Sequence, residues 1–182
     1  MREAKLSRKT KETSISLTIH LDGSGRSKVS VDEQFLRHML ETWTKYSGFD
    51  LTLDATGDND HHLIEDVAIS LGTAFREALG ERPVERVASA MVPMDDALVT
   101  VAVDIIDRPY ADVDCPDPLY HHFFRSFAMS SGITFHGMVH RGMDDHHIIE
   151  ATFKGLGLAL KRAVVPREDI LSTKDTVTFR RG

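Results

Sequence analysis

The segment HHLIE at residues 61–65 contains three side chains that are common metal ligands. On an α-helix, residues four apart share a face, whereas adjacent residues diverge by about 100°. His61 and Glu65 can therefore bind one ion together, while His62 points in another direction. A site for a single ion would leave half of such ligands unused. The pattern therefore favours a centre with two divalent metal ions.

A second segment, residues 146–164, repeats residues 61–79. Eight of the nineteen aligned positions are identical, among them both histidines and the glutamate. A lone histidine precedes each segment, because His38 stands 23 residues before the first and His122 stands 24 residues before the second. Matched spacing at this period predicts that the chain is a tandem duplication.

The repeat predicts eight metal ligands, four for each ion. One site is expected to comprise His61, Glu65, His122 and His147. The other is expected to comprise His146, Glu150, His38 and His62. Imidazole and carboxylate ligands suit manganese, with iron, cobalt or zinc as possible substitutes, and the absence of thiolate disfavours a structural zinc site. The histidines outside the repeat are expected to be structural; they are His20, His121, His136 and His140.

Composition narrows the class of protein. The net charge of −6 argues against a nucleic-acid binder, since phosphate contacts require clustered Lys and Arg. No apolar run approaches the roughly 20 residues of a membrane span, and the first residues lack the apolar core of a signal peptide. The single cysteine, Cys115, suits a reducing compartment. We therefore expect a cytoplasmic protein that contacts neither membrane nor nucleic acid.

Hydrophobic patterning predicts the elements that position these residues. In the first half it predicts strands at 13–21 and 27–31, paired as a hairpin, then a helix at 32–46, a strand at 49–55 and a helix at 61–79. In the second half it predicts strands at 87–93 and 98–106, a helix at 119–131, a strand at 133–139 and a helix at 146–164. The prediction is an α+β fold made of two β-β-α-β-α halves, residues 1–85 and 86–182, forming one compact unit.

Several segments resemble signature sequences of the imidazoleglycerol-phosphate dehydratase family. In the family's order they are FLRHML (35–40), HHLIED (61–66), PMDDAL (93–98), HHFFRSFA (121–128), HHIIEATFK (146–154) and STK (172–174). With KET (11–13), the resemblance covers nearly the whole chain. It implies a tandem α+β fold of the ribosomal protein S5 domain 2-like type, with helices packed on mixed sheets. It also implies the monofunctional form, since the chain has no room for a fused phosphatase.

The resemblance further implies an activity and an assembly. The substrate would be D-erythro-imidazole glycerol phosphate, which loses water to give imidazole acetol phosphate in histidine biosynthesis. Each active site would hold two Mn²⁺ ions on the eight ligands named above, and the sites would lie at subunit contacts of a closed 24-mer. The phosphate would be bound by Arg86, Arg108, Ser172 and Lys174. Glu12 and Lys154 match further substrate-contacting positions.

Two metal ions would explain how such a substrate reacts. The carbon that loses a proton has no neighbouring carbonyl, so the imidazole ring must serve as the electron reservoir. A metal on each ring nitrogen would lower the pKa of the ring N–H, and the metal-bound imidazolate could then expel the adjacent hydroxyl. Candidate bases for the remaining proton are Glu12, Glu65 and Glu150, with Lys154 as a further catalytic candidate. Glu12 is favoured because a metal-bound carboxylate is a weaker base.

Two other functions remain open from the residues alone. A dimetal hydrolase of a phosphorylated small molecule would release inorganic phosphate instead of forming a ketone. A non-catalytic, metal-assembled scaffold would bind metal and oligomerise without turnover.

Overall fold

The computed structural model describes residues 2–173, which fold as two halves with the same order of elements. The first half comprises β1 (Glu3–Lys9), β2 (Thr13–His20), β3 (Ser27–Val31), α1 (Gln34–Ser47), β4 (Asp50–Gly57) and α2 (Asp60–Leu79). The second half comprises β5 (Val87–Met94), β6 (Ala97–Ile105), β7 (Tyr110–Val113), α3 (Pro118–Ser131), β8 (Ile133–Arg141) and α4 (Asp145–Ala163). The expected α+β class and internal duplication are confirmed.

Each half builds one four-stranded mixed sheet, in the order β1-β2-β4-β3 or β5-β6-β8-β7. In the first sheet, β2 runs antiparallel to β1 and β4, whereas β3 runs parallel to β4. Helix α1 connects these two parallel strands, as a crossover between parallel neighbours requires. The second sheet repeats the pattern, with α3 between β7 and β8.

Two predictions about the strands are wrong. Each half is β-β-β-α-β-α, so the predicted β-β-α-β-α halves lack one strand, β1 in the first and β7 in the second. Strand β1 lies at a sheet edge and buries only Ala4, and β7 has only four residues, so neither shows a clear apolar alternation. The predicted hairpin between residues 13–21 and 27–31 does not form, because β1 and β4 already occupy both edges of β2.

The buried face of β2 is the face that the sequence predicts. Ile15, Leu17 and Ile19 are almost fully buried, within one continuous hydrophobic core that includes residues of both sheets and all four helices. Leu21, just beyond the strand, is buried with them. Within residues 2–173, no helix combines the length and the apolar character needed to cross a membrane.

The halves contact each other through two helix pairs, α2 with α3 and α1 with α4. A glycine lies at the corresponding place in each pair. A Cβ at Gly157 of α4 would lie 2.9 Å from the carbonyl oxygen of Trp43 in α1, and one at Gly72 of α2 would lie 2.7 Å from that of Phe127 in α3. Only a residue without a side chain permits this close approach of two backbones. Each pair therefore brings a helix from one half against a helix from the other.

Candidate metal centre

The first pair of helices brings together His61 and Glu65 of α2 with His122 of α3, which we call the α2/α3 group. Ligand atoms of all three residues lie within 4.8 Å of one another. His122 Nε2 lies 3.1 Å from Glu65 Oε1, and His61 Nε2 lies 3.8 Å from Glu65 Oε2. His61 and Glu65 share a helical face because they are four residues apart.

The second pair forms the equivalent α1/α4 group, which comprises His38 of α1 with His146 and Glu150 of α4. Its ligand atoms also lie within 4.8 Å of one another. The Nε2 atoms of His38 and His146 approach Glu150 Oε2 at 3.2 Å and 3.0 Å. Each group therefore presents two imidazoles and one carboxylate, which is a donor set that suits a divalent cation.

The structure thus brings together three of the four ligands expected at each site. His62 and His147 belong to neither group, and among residues 2–173 these two trios are the groups of possible ligands that converge. The four other histidines, expected to be structural, are in neither trio. The complete four-ligand sets stay a prediction.

His62 and His147 are held in matching ways by carboxylates that sequence reasoning missed. His62 Nδ1 lies 2.8 Å from Asp58 Oδ1, and His147 Nδ1 lies 2.7 Å from Asp96 Oδ1. These contacts raise the pKa of each imidazole. With Nδ1 bound to a carboxylate, Nε2 is the nitrogen left to bind a metal at His62, whereas His147 Nε2 also lies 3.2 Å from Asp95 Oδ2. Asp58 could have been found by its i−4 spacing, but Asp96 lies in the distant β5–β6 turn.

The chemistry of both groups fits a metal ion. His122 Nε2 is buried and, despite its approach to Glu65, makes no hydrogen bond of acceptable geometry to any residue that the structure describes. Such an atom needs a partner, and a cation between the two side chains would supply it. Burial acts to raise the pKa of Glu150, but hydrogen bonds from Lys154 and from His38 outweigh it and lower this pKa overall. The Glu150 carboxyl is therefore anionic at neutral pH, as a metal ligand requires.

The two further residues expected at the substrate lie beside these elements. Glu12 is in the β1–β2 turn, where Glu12 Oε2 stands 3.8 Å from His62 Nδ1. Its backbone is fixed, since Glu12 N donates to Thr10 Oγ1 and Glu12 O accepts from Asp58 N. Lys154 lies one turn after Glu150 on α4, and its Nζ is 2.8 Å from Glu150 Oε1.

The residues expected to bind phosphate lie in another region. Arg86, Arg108 and Ser172 line one open cleft of about 1590 Å³, whereas none of the eight expected metal ligands lines it. Arg86 has a left-handed backbone, with φ of 68°, and its Nε donates to Asp104 Oδ1 at 2.6 Å. The fourth expected residue, Lys174, lies outside the described residues.

Comparisons with known proteins agree with this geometry. The family model for imidazoleglycerol-phosphate dehydratase matches residues 32–160. The enzyme of that name from Bacillus licheniformis is 43% identical, over 96% of this chain and 98% of its own. The crystal structure of IGPD from Pyrococcus furiosus in complex with (S)-C348 superposes with a TM-score of 0.85 at 40% identity, over 94% of this chain and 100% of that one.

A second solved structure, the imidazoleglycerol-phosphate dehydratase of Staphylococcus aureus, is 31% identical and superposes with a TM-score of 0.81. It covers 91% of this chain and 99% of its own. Likeness over nearly full lengths, in sequence and in fold, confirms the resemblance drawn from the paired histidines and the expected hydro-lyase class. The chain belongs to the imidazoleglycerol-phosphate dehydratase family.

Proposed function

We propose that the α2/α3 group and the α1/α4 group each hold one divalent ion, with Mn²⁺ the first choice, and that both ions serve the dehydration of D-erythro-imidazole glycerol phosphate. The observation that carries this proposal is the duplication of one donor set, two imidazoles and one carboxylate within 4.8 Å, on two equivalent helix pairs. When bound, the ions would act as Lewis acids that lower the pKa of the substrate's imidazole N–H.

We further propose that another copy of the chain completes each site. His147 would join an α2/α3 group and His62 an α1/α4 group, giving four ligands to each ion. In support, the Nδ1 atoms of both histidines are bound by carboxylates, and neither ring converges on a group of its own chain. The closed assembly implied by the family, a 24-mer with sites at subunit contacts, supplies such neighbours.

The phosphate cleft leads to the same conclusion. The cleft that holds Arg86, Arg108 and Ser172 contains none of the metal ligands of its own chain. A substrate with its ring at the metal centre and its phosphate on these side chains would therefore span two subunits. Asp104 and the Leu171 carbonyl orient the Arg86 guanidinium, and one N–H on each of Nη1 and Nη2 would remain to bind phosphate oxygens. Lys174 would add a fourth contact.

In the reaction, Glu12 would accept the proton from the carbon next to the one that bears the leaving hydroxyl. The ring electrons would first expel the hydroxyl, which would leave as water with the proton lost from the ring N–H. The C–H electrons would then form the enol double bond as the displaced ring electrons return to the ring. The resulting enol becomes the ketone, imidazole acetol phosphate. The Glu12 carboxylate is half-exposed beside His62 and belongs to neither metal group, so it can act as a base. Glu65 and Glu150 would serve as ligands, and Lys154 would neutralise charge next to Glu150.

Replacement of Glu12 by glutamine tests this assignment. We expect unchanged metal content by elemental analysis and a fall of about 10²–10⁴ in kcat for imidazole acetol phosphate formation. Glu3→Gln, at an exposed position of β1, is the matched control and should leave both values unchanged. Turnover at the wild-type rate in the Glu12 variant would show that another group is the base. Release of inorganic phosphate without ketone would instead indicate a hydrolase.

We also propose a cytoplasmic location and a boundary between the duplicated halves near residues 85 and 86. The single cysteine supports the first proposal. Burial raises the pKa of the Cys115 thiol to about 12, so the thiol stays protonated at neutral pH.

A further inference from the structure

Helix α1 begins with an unusual capping residue. Ser, Thr, Asp and Asn are the common N-caps, but here Glu33 accepts hydrogen bonds from the backbone N–H groups of Phe35 and Leu36. Helix α3, the equivalent in the other half, is capped by the shorter Asp117. The extra length of Glu33 has a second use, because Glu33 Oε2 also accepts the hydroxyl hydrogen of Tyr120 at 2.9 Å.

This hydrogen bond links the helices that carry ligands of the two metal groups. Tyr120 is on α3, two residues before His122, and Glu33 precedes His38 of α1 by five residues. The ring of Phe35 packs edge-on against both Tyr120 and His146, and the ring centroids are 5.0 Å apart in each pair. A continuous set of contacts therefore runs from α3, through the first turn of α1, to a ligand of the α1/α4 group.

The first turn of α1 is also held by Leu36, which is fully buried, and by a hydrogen bond from Arg37 Nη2 to Val31 O. The imidazoles of His38 and His146 are each about half-exposed, at 48%, so packing restricts them only in part. Tyr120 itself is 4% exposed, and water therefore has little access to replace its hydroxyl as a partner of Glu33. Loss of the hydroxyl would therefore leave Glu33 and the Phe35 ring less restrained, and with them the position of His38 and the ring that packs on His146.

We propose that Tyr120 and Glu33 are positioning residues, whose hydrogen bond holds the first turn of α1 against α3 and thereby fixes His38 and His146 for metal binding. The inference rests on the proposed metal centre. A hydrogen bond between the two halves would therefore affect the affinity of the α1/α4 group for its ion. The α2/α3 group should be insensitive to it, because α3 keeps its own cap at Asp117.

The test is calorimetric titration of the metal-stripped protein with MnCl₂. In Tyr120→Phe, which removes only the hydroxyl, we expect one of two classes of Mn²⁺ site to weaken about tenfold, the lower end of the range for residues that support ligands. The other class should keep its wild-type affinity. Tyr110→Phe makes the same change at an exposed position of β7 and should alter neither class.

Glu33→Asp separates the hydrogen bond to Tyr120 from helix capping. Aspartate is the better N-cap but is one methylene shorter, so it can cap α1 without reaching Tyr120. A role in capping alone predicts wild-type Mn²⁺ affinity for this variant. Our proposal predicts the same loss as in Tyr120→Phe and no additional loss in the double variant.

The outcomes are distinct. Unchanged affinities in Tyr120→Phe, with two classes intact in the wild type, would overturn this inference and leave the proposed function standing. Equal weakening of both classes would also overturn it. A wild-type protein that binds no Mn²⁺ would overturn both proposals.

Discussion

The close approach of α4 to α1 at Gly157 offers a quantitative test of how the helix pairs position ligands. In Gly157→Ala, the new Cβ would lie 2.9 Å from the Trp43 carbonyl oxygen and 3.0 Å from Ser47 N, both backbone atoms. Ordinary contacts begin near 3.4 Å, so the two helices must separate by about 0.5 Å. A shift of that size between His38 and Glu150 would disturb a preorganised site.

The energetic effect follows from two opposing terms. Overpacking a well-packed contact costs about 1–3 kcal/mol, whereas alanine recovers about 0.5–1 kcal/mol relative to glycine inside a helix. From the middle of both ranges we therefore expect a net destabilisation of about 1 kcal/mol in Gly157→Ala. For a chain of this length, that corresponds to a fall in Tm of roughly 2–4 °C.

The assay compares Gly157→Ala with its duplicate, Gly72→Ala, in which the Cβ would lie 2.7 Å from Phe127 O. Thermal unfolding of the metal-stripped proteins should show both variants less stable. Titration with MnCl₂ should show a different weakened class in each, the α1/α4 group in the first and the α2/α3 group in the second. A rise in Tm, or loss confined to the same class in both variants, would refute the reasoning.

Three further predictions concern charge and assembly. Asp58→Asn and Asp96→Asn should each weaken Mn²⁺ binding about 10–100-fold in titration, because His62 and His147 lose the carboxylates that orient them. Wild-type affinity in either variant would contradict this. Asp50 accepts a hydrogen bond from Arg26 that lowers the pKa of its carboxyl. Its stabilisation of the fold is therefore complete above the ordinary pKa of about 4 and is lost progressively as the pH falls from there through the lowered pKa. Asp50→Asn should lower Tm by more at pH 7 than at pH 2, and an equal deficit at both would be inconsistent. Removal of metal by a chelator should shrink the particle in light scattering and Mn²⁺ should restore it, whereas a constant size would place the ions away from subunit contacts.

Local patterns were sufficient for the helices and for most of each site. Residues 61–79 and 146–164 were predicted as helices. Helix α2 differs from its range only by one residue at the start, and α4 is shifted by one residue at each end. Their i, i+4 spacing places His61 with Glu65 and His146 with Glu150, as predicted. The duplication then identified His38 and His122 as the third members.

Contacts between distant segments were beyond such patterns. The turn at residues 22–25 suggested a local hairpin. Strand pairing, however, depends on all the strands that can pair along an edge, and β1 pairs with the edge of β2 that the hairpin would need. The contact between Asp96 and His147 joins residues 51 apart, and that between Glu33 and Tyr120 joins residues 87 apart. No periodicity within one element indicates pairs of this kind.

The packing of the first helix of each half against the second helix of the other half bears on how the duplicated chain could have arisen. Two identical copies of a single half, related by a twofold axis, would set the first helix of each against the second helix of the other. Both trios of possible ligands would then exist in a homodimer of half-length chains. Joining the two copies would add no ligand to either trio, but it would let equivalent positions differ, as the N-caps Glu33 and Asp117 now do.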